Sequence, residues 1–169
     1  MLPKKKNHPL IAFKKSGIHG TGVYARVEIK EGTKVIEYIG EKVTKKESER
    51  RAQIPLENNA DNEDMGAVYI FELNKRYDLD GYFKYNTARY INHSCDPNCE
   101  SDIIKGRVWI IALKDIKKGE EITYNYNYSW GDHEDHPCNC GTKRCVGYIL
   151  IEEAWPKLKR KKRKSGGRV

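Results

Sequence analysis

Long apolar runs are missing from this 169-residue chain. No stretch approaches the roughly 18 residues that a membrane-spanning helix requires, so no membrane contact is expected. A secretory signal is missing as well: Met1 to Gly17 carries charge at both ends of one short apolar patch, Leu10 to Phe13. The expected compartment is intracellular: nucleus and chromatin for a eukaryotic protein or an effector, cytoplasm and nucleoid for a bacterial one. Phe is scarce, three residues against eleven Tyr, so buried aromatic area arrives with hydroxyls that need partners. Acidic residues vanish near the end. Residues 157–169 hold eight Lys or Arg and no acid, whereas the preceding 156 residues carry 24 of each sign. The whole +8 excess therefore sits on this tail. Such a block is expected to be solvated and disordered, suited to binding an anionic polymer such as nucleic acid or to serving as a nuclear address.

What is present suffices for one domain with a real core. Residues 1–9 read as a loose basic arm. Strand-like runs follow at Leu10–Lys14, Val23–Ile29 and Lys34–Val43, separated by turns at Gly17, Gly20, Gly22 and Gly32. Thr44–Gln53 predicts a helix, with Thr44 as cap and Glu47 closing a capping box. Residues 54–66 are polar and end in an Asn/Asp run. Further strands are predicted at Ala67–Leu73, Tyr77–Leu79, Arg107–Leu113 and Ile122–Tyr128. Short strands with glycine punctuation make the chain mostly β, a β-rich α+β fold. His19-Gly20-Thr21-Gly22-Val23-Tyr24-Ala25 fits a dinucleotide fingerprint on paper. A strand follows it where that fingerprint needs a helix, so the glycines are read as letting backbone approach a ligand closely.

Five cysteines, an odd number, argue for thiols or metal rather than a disulfide frame. Cys138-Asn139-Cys140-Gly141-Thr142-Lys143-Arg144-Cys145 places three of them in eight residues, the way a chain wraps a tetrahedral Zn²⁺. A structural site closes with four ligands, and Cys95, Cys99, His133 and His136 each qualify as the fourth.

The chemistry concentrates in Ala88-Arg89-Tyr90-Ile91-Asn92-His93-Ser94-Cys95-Asp96-Pro97-Asn98-Cys99. This stretch resembles the signature of the SET-domain protein lysine methyltransferases. Gly20-Thr21-Gly22, the Glu120–Tyr126 strand and the cysteine loop occur in the order of that family, and the resemblance covers about residues 10–151. It implies a fold of small curved sheets, a β-clip, with a knot-like crossing at the central motif. It implies a SET domain over 10–130 with a variable insert near 44–66 and a post-SET zinc-binding segment over 131–156; the arm before residue 10 and the basic tail after 156 have no counterpart in it. Carried over by resemblance, Gly20, Thr21, Gly22, Asn92 and His93 bind S-adenosylmethionine. Cys95 joins Cys138, Cys140 and Cys145 around Zn²⁺, leaving Cys99 out. Tyr126 is the catalytic tyrosine, Tyr124 resembles the Phe/Tyr switch that limits methylation to one step, and Tyr38 stands beside the substrate lysine. Tyr90 and Asn125 replace the Phe and Asp of many relatives without removing a needed group.

The strand pattern supports this from another side. Tyr124 and Tyr126 are two apart, so both project from one face and can bracket one amine. No Ser-His-Asp machinery is found, and in-line displacement by a neutral amine needs none. The implied activity is methyl transfer to a lysine on a histone or another basic, nucleic-acid-associated protein, with nucleic acid contacted through 157–169. The alternative is a non-enzymatic zinc module that binds nucleic acid or chromatin. It accounts for the cysteines and the tail but not for Asn92-His93, the glycines or the tyrosine strand.

Overall fold

The runs of β-branched and aromatic residues fold into short strands gathered in three small sheets. The computed structural model describes residues 8–52, 69–131 and 133–165. Strands β1 (Ile11–Lys15), β2 (Thr21–Ala25), β7 (Asn92–His93) and β10 (Glu121–Tyr124) make one sheet in the order β1-β2-β10-β7. Strands β3 (Lys34–Tyr38), β9 (Arg107–Ala112) and β8 (Cys99–Ile104) make a second, β3-β9-β8. Strands β4 (Glu41–Thr44), β6 (Tyr77–Asp80) and β5 (Ile70–Glu72) make the third, β4-β6-β5. The fold is mostly β, as expected. One core joins the sheets, with Val23, Ile91, Ile110, Ile116 and Ile122 fully buried. Each such side chain contributes roughly 1.5–3 kcal/mol.

Several boundaries depart from the sequence reading, each for a local reason. The run 34–43 splits at Gly40, where a Cβ would lie 2.1 Å from the Asp80 carbonyl oxygen. Only glycine lets the chain turn there, from β3 into β4. The run 23–29 stops at Ala25, and Ile29 pairs singly with Ile116 instead. The run 122–128 stops at Tyr124, because Asn127 takes a φ of 55° and its N–H bonds Asn125 Oδ1. Strand β8 was not anticipated; its exposed Glu100 and Asp102 disguise it as loop. The predicted helix appears as α1 (Lys45–Ala52), and Thr44 Oγ1 accepts from the Glu47 N–H at 3.3 Å. The Glu47 carboxylate is taken by Arg50 and Arg51 rather than closing the box. Residues 53–68, which hold most of the insert, and residues 1–7 of the arm lie outside the described residues.

The tail expectation needs the largest correction. Residues Trp155–Ser165 form helix α2; residues 166–169 lie outside the described residues. A lone lysine-rich helix of this length would fray. Here Trp155 and Leu158 are 8% and 3% exposed and anchor it in a second small core with Leu150 and Cys95. The Trp155 indole N–H donates to the Leu150 carbonyl at 3.1 Å. Lys157 lies over the Trp130 ring at 3.9 Å, and Lys161 pairs with Glu134. Long stems packed on rings hold the charge in water while ordering the backbone.

Candidate active site

The central motif and β10 are laced together. Strand β7 pairs in parallel with β10, Asn92 opposite Thr123 and His93 opposite Tyr124. Asn98, 4% exposed, accepts from the Thr123 N–H at 2.9 Å and donates to the Glu121 carbonyl at 2.8 Å. Past the strand end, the Tyr126 N–H donates to His93 Nδ1 and the Tyr126 hydroxyl donates to the Ile91 carbonyl at 2.8 Å. Loop 91–98 and segment 120–126 thus form one unit, although they lie far apart in the chain.

Rings line this unit. Tyr126 stands 4.9 Å from Tyr124, 5.5 Å from His93 and 6.0 Å from Tyr128, centroid to centroid. Phe71 stacks on Tyr124 at 5.9 Å. Tyr124, Tyr126 and Phe71 form a wall of a cleft of about 700 Å³, closed on another side by Lys45, Ser48 and Asp102. Burial pushes the Tyr124 and Tyr126 phenols well above the usual range, so both are neutral donors at physiological pH. The Tyr124 hydroxyl has no protein hydrogen-bond partner among the described residues, and Tyr124 lines the cleft.

Tyr38 is set in the core beside Phe71. It is 2% exposed, packs against Phe71 at 4.5 Å and donates its hydroxyl to the Tyr69 carbonyl. It does not line the cleft. The Gly81 backbone presses so closely on its ring that a Cβ there would sit 2.2 Å away. Tyr38 is one layer behind the wall.

The glycine segment, Asn92 and Glu121 meet beside β10. A Cβ on Gly22 would stand 2.4 Å from Glu121 Oε1. That carboxylate accepts from the Ser16 hydroxyl, the Tyr24 hydroxyl and Asn92 Nδ2 at 2.7, 3.0 and 2.9 Å. Asn92 Nδ2 also donates to the His19 carbonyl, which leaves Asn92 Oδ1 as the acceptor it can offer a ligand. Gly20 sits at φ 44° where the chain turns into Thr21. These residues flank the ring wall without lining the cleft. The sequence reading gives Glu121 no role; its signal is a carboxylate opening a strand whose other residues are buried.

The thiols fall into two groups. The Sγ atoms of Cys95, Cys138, Cys140 and Cys145 all lie within 4.8 Å of one another. Cys95 and Cys138 stand 3.7 Å apart, against the ~3.8 Å that a tetrahedral Zn–S length of about 2.3 Å gives. The Cys138 thiol, followed by His93, holds Cys95 below the usual thiol range. Four sulfurs converging on one point are a donor set that a cation completes. Cys99 is buried in the main core instead. His133 bonds the Trp130 carbonyl and packs between Trp130 and Tyr148, and His136 packs on Tyr128.

The SET-domain family profile matches residues 20–127, most of the chain. This chain belongs to the SET-domain family. The chain is 37% identical over 152 residues to a histone-lysine N-methyltransferase, H3 lysine-4 specific, of Emericella nidulans, covering 86% of this chain and 12% of the relative. A Saccharomyces cerevisiae protein of the same name is 37% identical over 151 residues, covering 86% and 13%. The trithorax histone-lysine N-methyltransferase of Drosophila virilis is 38% identical over 139 residues, covering 80% and 3%. The chain therefore spans a small part of the length of these relatives. Among the described residues, no helix is long and apolar enough to cross a membrane.

Proposed function

We propose that this SET domain is a protein-lysine N-methyltransferase using S-adenosylmethionine. The observation that carries the reading is the placement of Tyr126, which lines the cleft and also bonds the Ile91 carbonyl beside Asn92 and His93. It is the common wall between a place for a protein substrate and a place for a methyl donor. When bound, S-adenosylmethionine supplies a sulfonium methyl for in-line transfer to an amine. Gly20, Thr21 and Gly22 would hold it by close backbone approach, and Asn92 and His93 from the other side. Methyl transfer requires a neutral amine, whereas free lysine has a pKa of about 10.4. The aromatic wall favours the uncharged form by excluding water, and the Tyr126 phenol orients the nitrogen. Alignment supplies much of the remaining rate. Tyr124 leaves one hydroxyl pointing at the incoming amine, which restricts the reaction to mono-methylation. Tyr38 acts through Phe71 as a positioning residue.

Cys95, Cys138, Cys140 and Cys145 would hold Zn²⁺, tying a post-SET segment over 131–156 to the SET domain over 10–130. This metal is structural: it supplies four bonds and no open position.

The substrate is a lysine on a basic, histone H3-like protein, in a nuclear, chromatin setting. The relatives' names point there, and so does the cleft. Its lining carries Glu49, Glu72, Asp78 and Asp102 against one cation, Lys45, which is already paired with Asp78 and Glu72. Residues 157–169 would bring the enzyme to nucleic acid near that substrate. Calorimetry with S-adenosylmethionine, followed by labelled-methyl incorporation into histone H3 and site mapping, tests the reading. Saturable binding with label on a tail lysine is expected. No binding at all would leave the non-enzymatic zinc module in its place.

A further inference from the structure

The basic tail is folded, and the fold puts it somewhere specific. Trp155, Leu158, Lys159 and Lys162 are spaced as one face of α2. That face meets the cysteine loop, and between them lies a pocket of about 530 Å³. Its polar lining is Lys143 and Arg144 from the loop and Lys159 and Lys162 from the helix, with no acid among the lining residues. Trp155 and Leu158 form the floor. Lys162 donates to the Val146 carbonyl at 2.8 Å, which fixes its ammonium at the pocket edge. Arg144 lies 5.5 Å over the Trp155 ring and reaches Asp96 and Glu152 only at 3.5 and 3.6 Å, with 53% of its side chain exposed. Lys143 and Lys159 are exposed and have no ion pair among the described residues. Exposed Arg160 and Arg163 continue the basic surface along the helix.

We propose that this pocket and the outer face of α2 form a docking site for the phosphate backbone of double-stranded nucleic acid. The site joins the cysteine loop to the helix, so it is a shaped surface, not a charged tail acting by itself. An anionic ligand fits because four cations converge there with no acid in the lining. A regular polyanion fits because α2 extends the charge over about 16 Å. A lipid surface fits less well. An interfacial helix must offer an apolar face to the acyl chains, and the apolar residues of α2 are buried against its own domain. The inference stands apart from the methyl-transfer reading and does not need it.

The test uses the full zinc-loaded chain and a short fluorescent DNA duplex, with anisotropy titrations over a series of NaCl concentrations. Log affinity should fall steeply with log salt for the wild type. The slope should shrink by about two in a Lys143→Ala, Lys159→Ala double variant, because each phosphate contact contributes about 0.9 to it. Lys159→Gln alone should remove about half of that. Lys105→Ala, an equal charge loss at the β8–β9 turn, should leave the slope unchanged, and zinc content should be unchanged throughout. An unaltered slope in the double variant overturns the site. So does an equal loss in Lys105→Ala, which would make the effect one of net charge. Loss of zinc in the double variant would make these lysines counter-ions of the thiolate cluster, and tighter binding to phosphatidylserine vesicles than to duplex would make the partner a membrane; either result also overturns it.

Discussion

The hydroxyl of Tyr126 donates to the carbonyl of Ile91 at 2.8 Å across 35 residues of sequence. That bond points the phenol at the junction between the ring-lined cleft and the Asn92-His93 segment. It also gives the phenol a fixed orientation, since a donor committed to a carbonyl presents its lone pairs, and its ring edge, in one direction only.

Tyr126→Phe removes this hydroxyl and leaves the ring contacts with Tyr124 and His93. Methyl transfer should drop by at least about a hundredfold, the scale seen when one preorganised polar group is deleted from an active site. Stability should fall by only about 1 kcal/mol. Single-turnover assays beside calorimetry with S-adenosylmethionine check this: binding should persist while turnover is lost. Near-normal turnover would remove Tyr126 from its assigned place.

Tyr124→Phe deletes the hydroxyl of a residue that lines the cleft. The variant should convert a mono-methylated product into di- and tri-methylated ones, because space opens for a bulkier amine. Intact-mass spectrometry of a methylated H3 peptide reads the outcome. A product series identical to that of the wild type would show that Tyr124 does not set the number of methyl groups.

Gly81→Ala places a methyl about 2.2 Å from a Tyr38 ring that is itself 2% exposed. The ring cannot move without displacing Phe71, so a cost of about 2–3 kcal/mol is expected in urea unfolding. Gly17→Ala, where nothing lies within 4 Å, should change stability by less than about 0.5 kcal/mol. Equal effects at the two positions would contradict the layer described behind the cleft wall.

Chelation should separate the five thiols into two groups. In the zinc-loaded protein, all five should resist alkylation at neutral pH. With EDTA, Cys95, Cys138, Cys140 and Cys145 should react, and the helical signal of α2 should weaken, because α2 shares a core with Cys95. Cys99 should stay protected until denaturant is added. Burial, followed by the charges of Glu120 and Glu100, pushes its thiol up to about 12. The folded state therefore holds this proton more tightly than the unfolded chain does. The associated stability is complete below the unfolded thiol pKa of about 8.5 and is lost as pH rises from there toward 12. Mass mapping of the alkylated cysteines decides the grouping.

Much of the site was legible before any coordinates. The Asn92-His93-Ser94-Cys95 motif, the spacing of Cys138, Cys140 and Cys145, and the two-residue step from Tyr124 to Tyr126 are local patterns, and local patterns survive folding. The step places the two rings together even though β10 ends at Tyr124. Regularity of the strand was the wrong reason; an Asx-type turn at Asn125 and Asn127 keeps Tyr126 beside its neighbour.

By itself the sequence determined the mostly β character, the family and the residue types that can hold a methyl donor, an amine and a metal. Those follow from periodicity, glycine placement and side-chain chemistry, all of them short-range properties. Tertiary structure alone placed Cys95, and not Cys99, beside the other three thiols, because Cys95 and Cys99 differ only in the direction their strands and loops take them. It decided that Tyr38 packs against Phe71, that Glu121 ties Tyr24 and Ser16 to Asn92, and that the seven cations between Lys157 and Lys164 become part of a helix. Each of these depends on what a side chain meets from a distant part of the chain. Contact free energy between remote segments has no signature in the local pattern of either one.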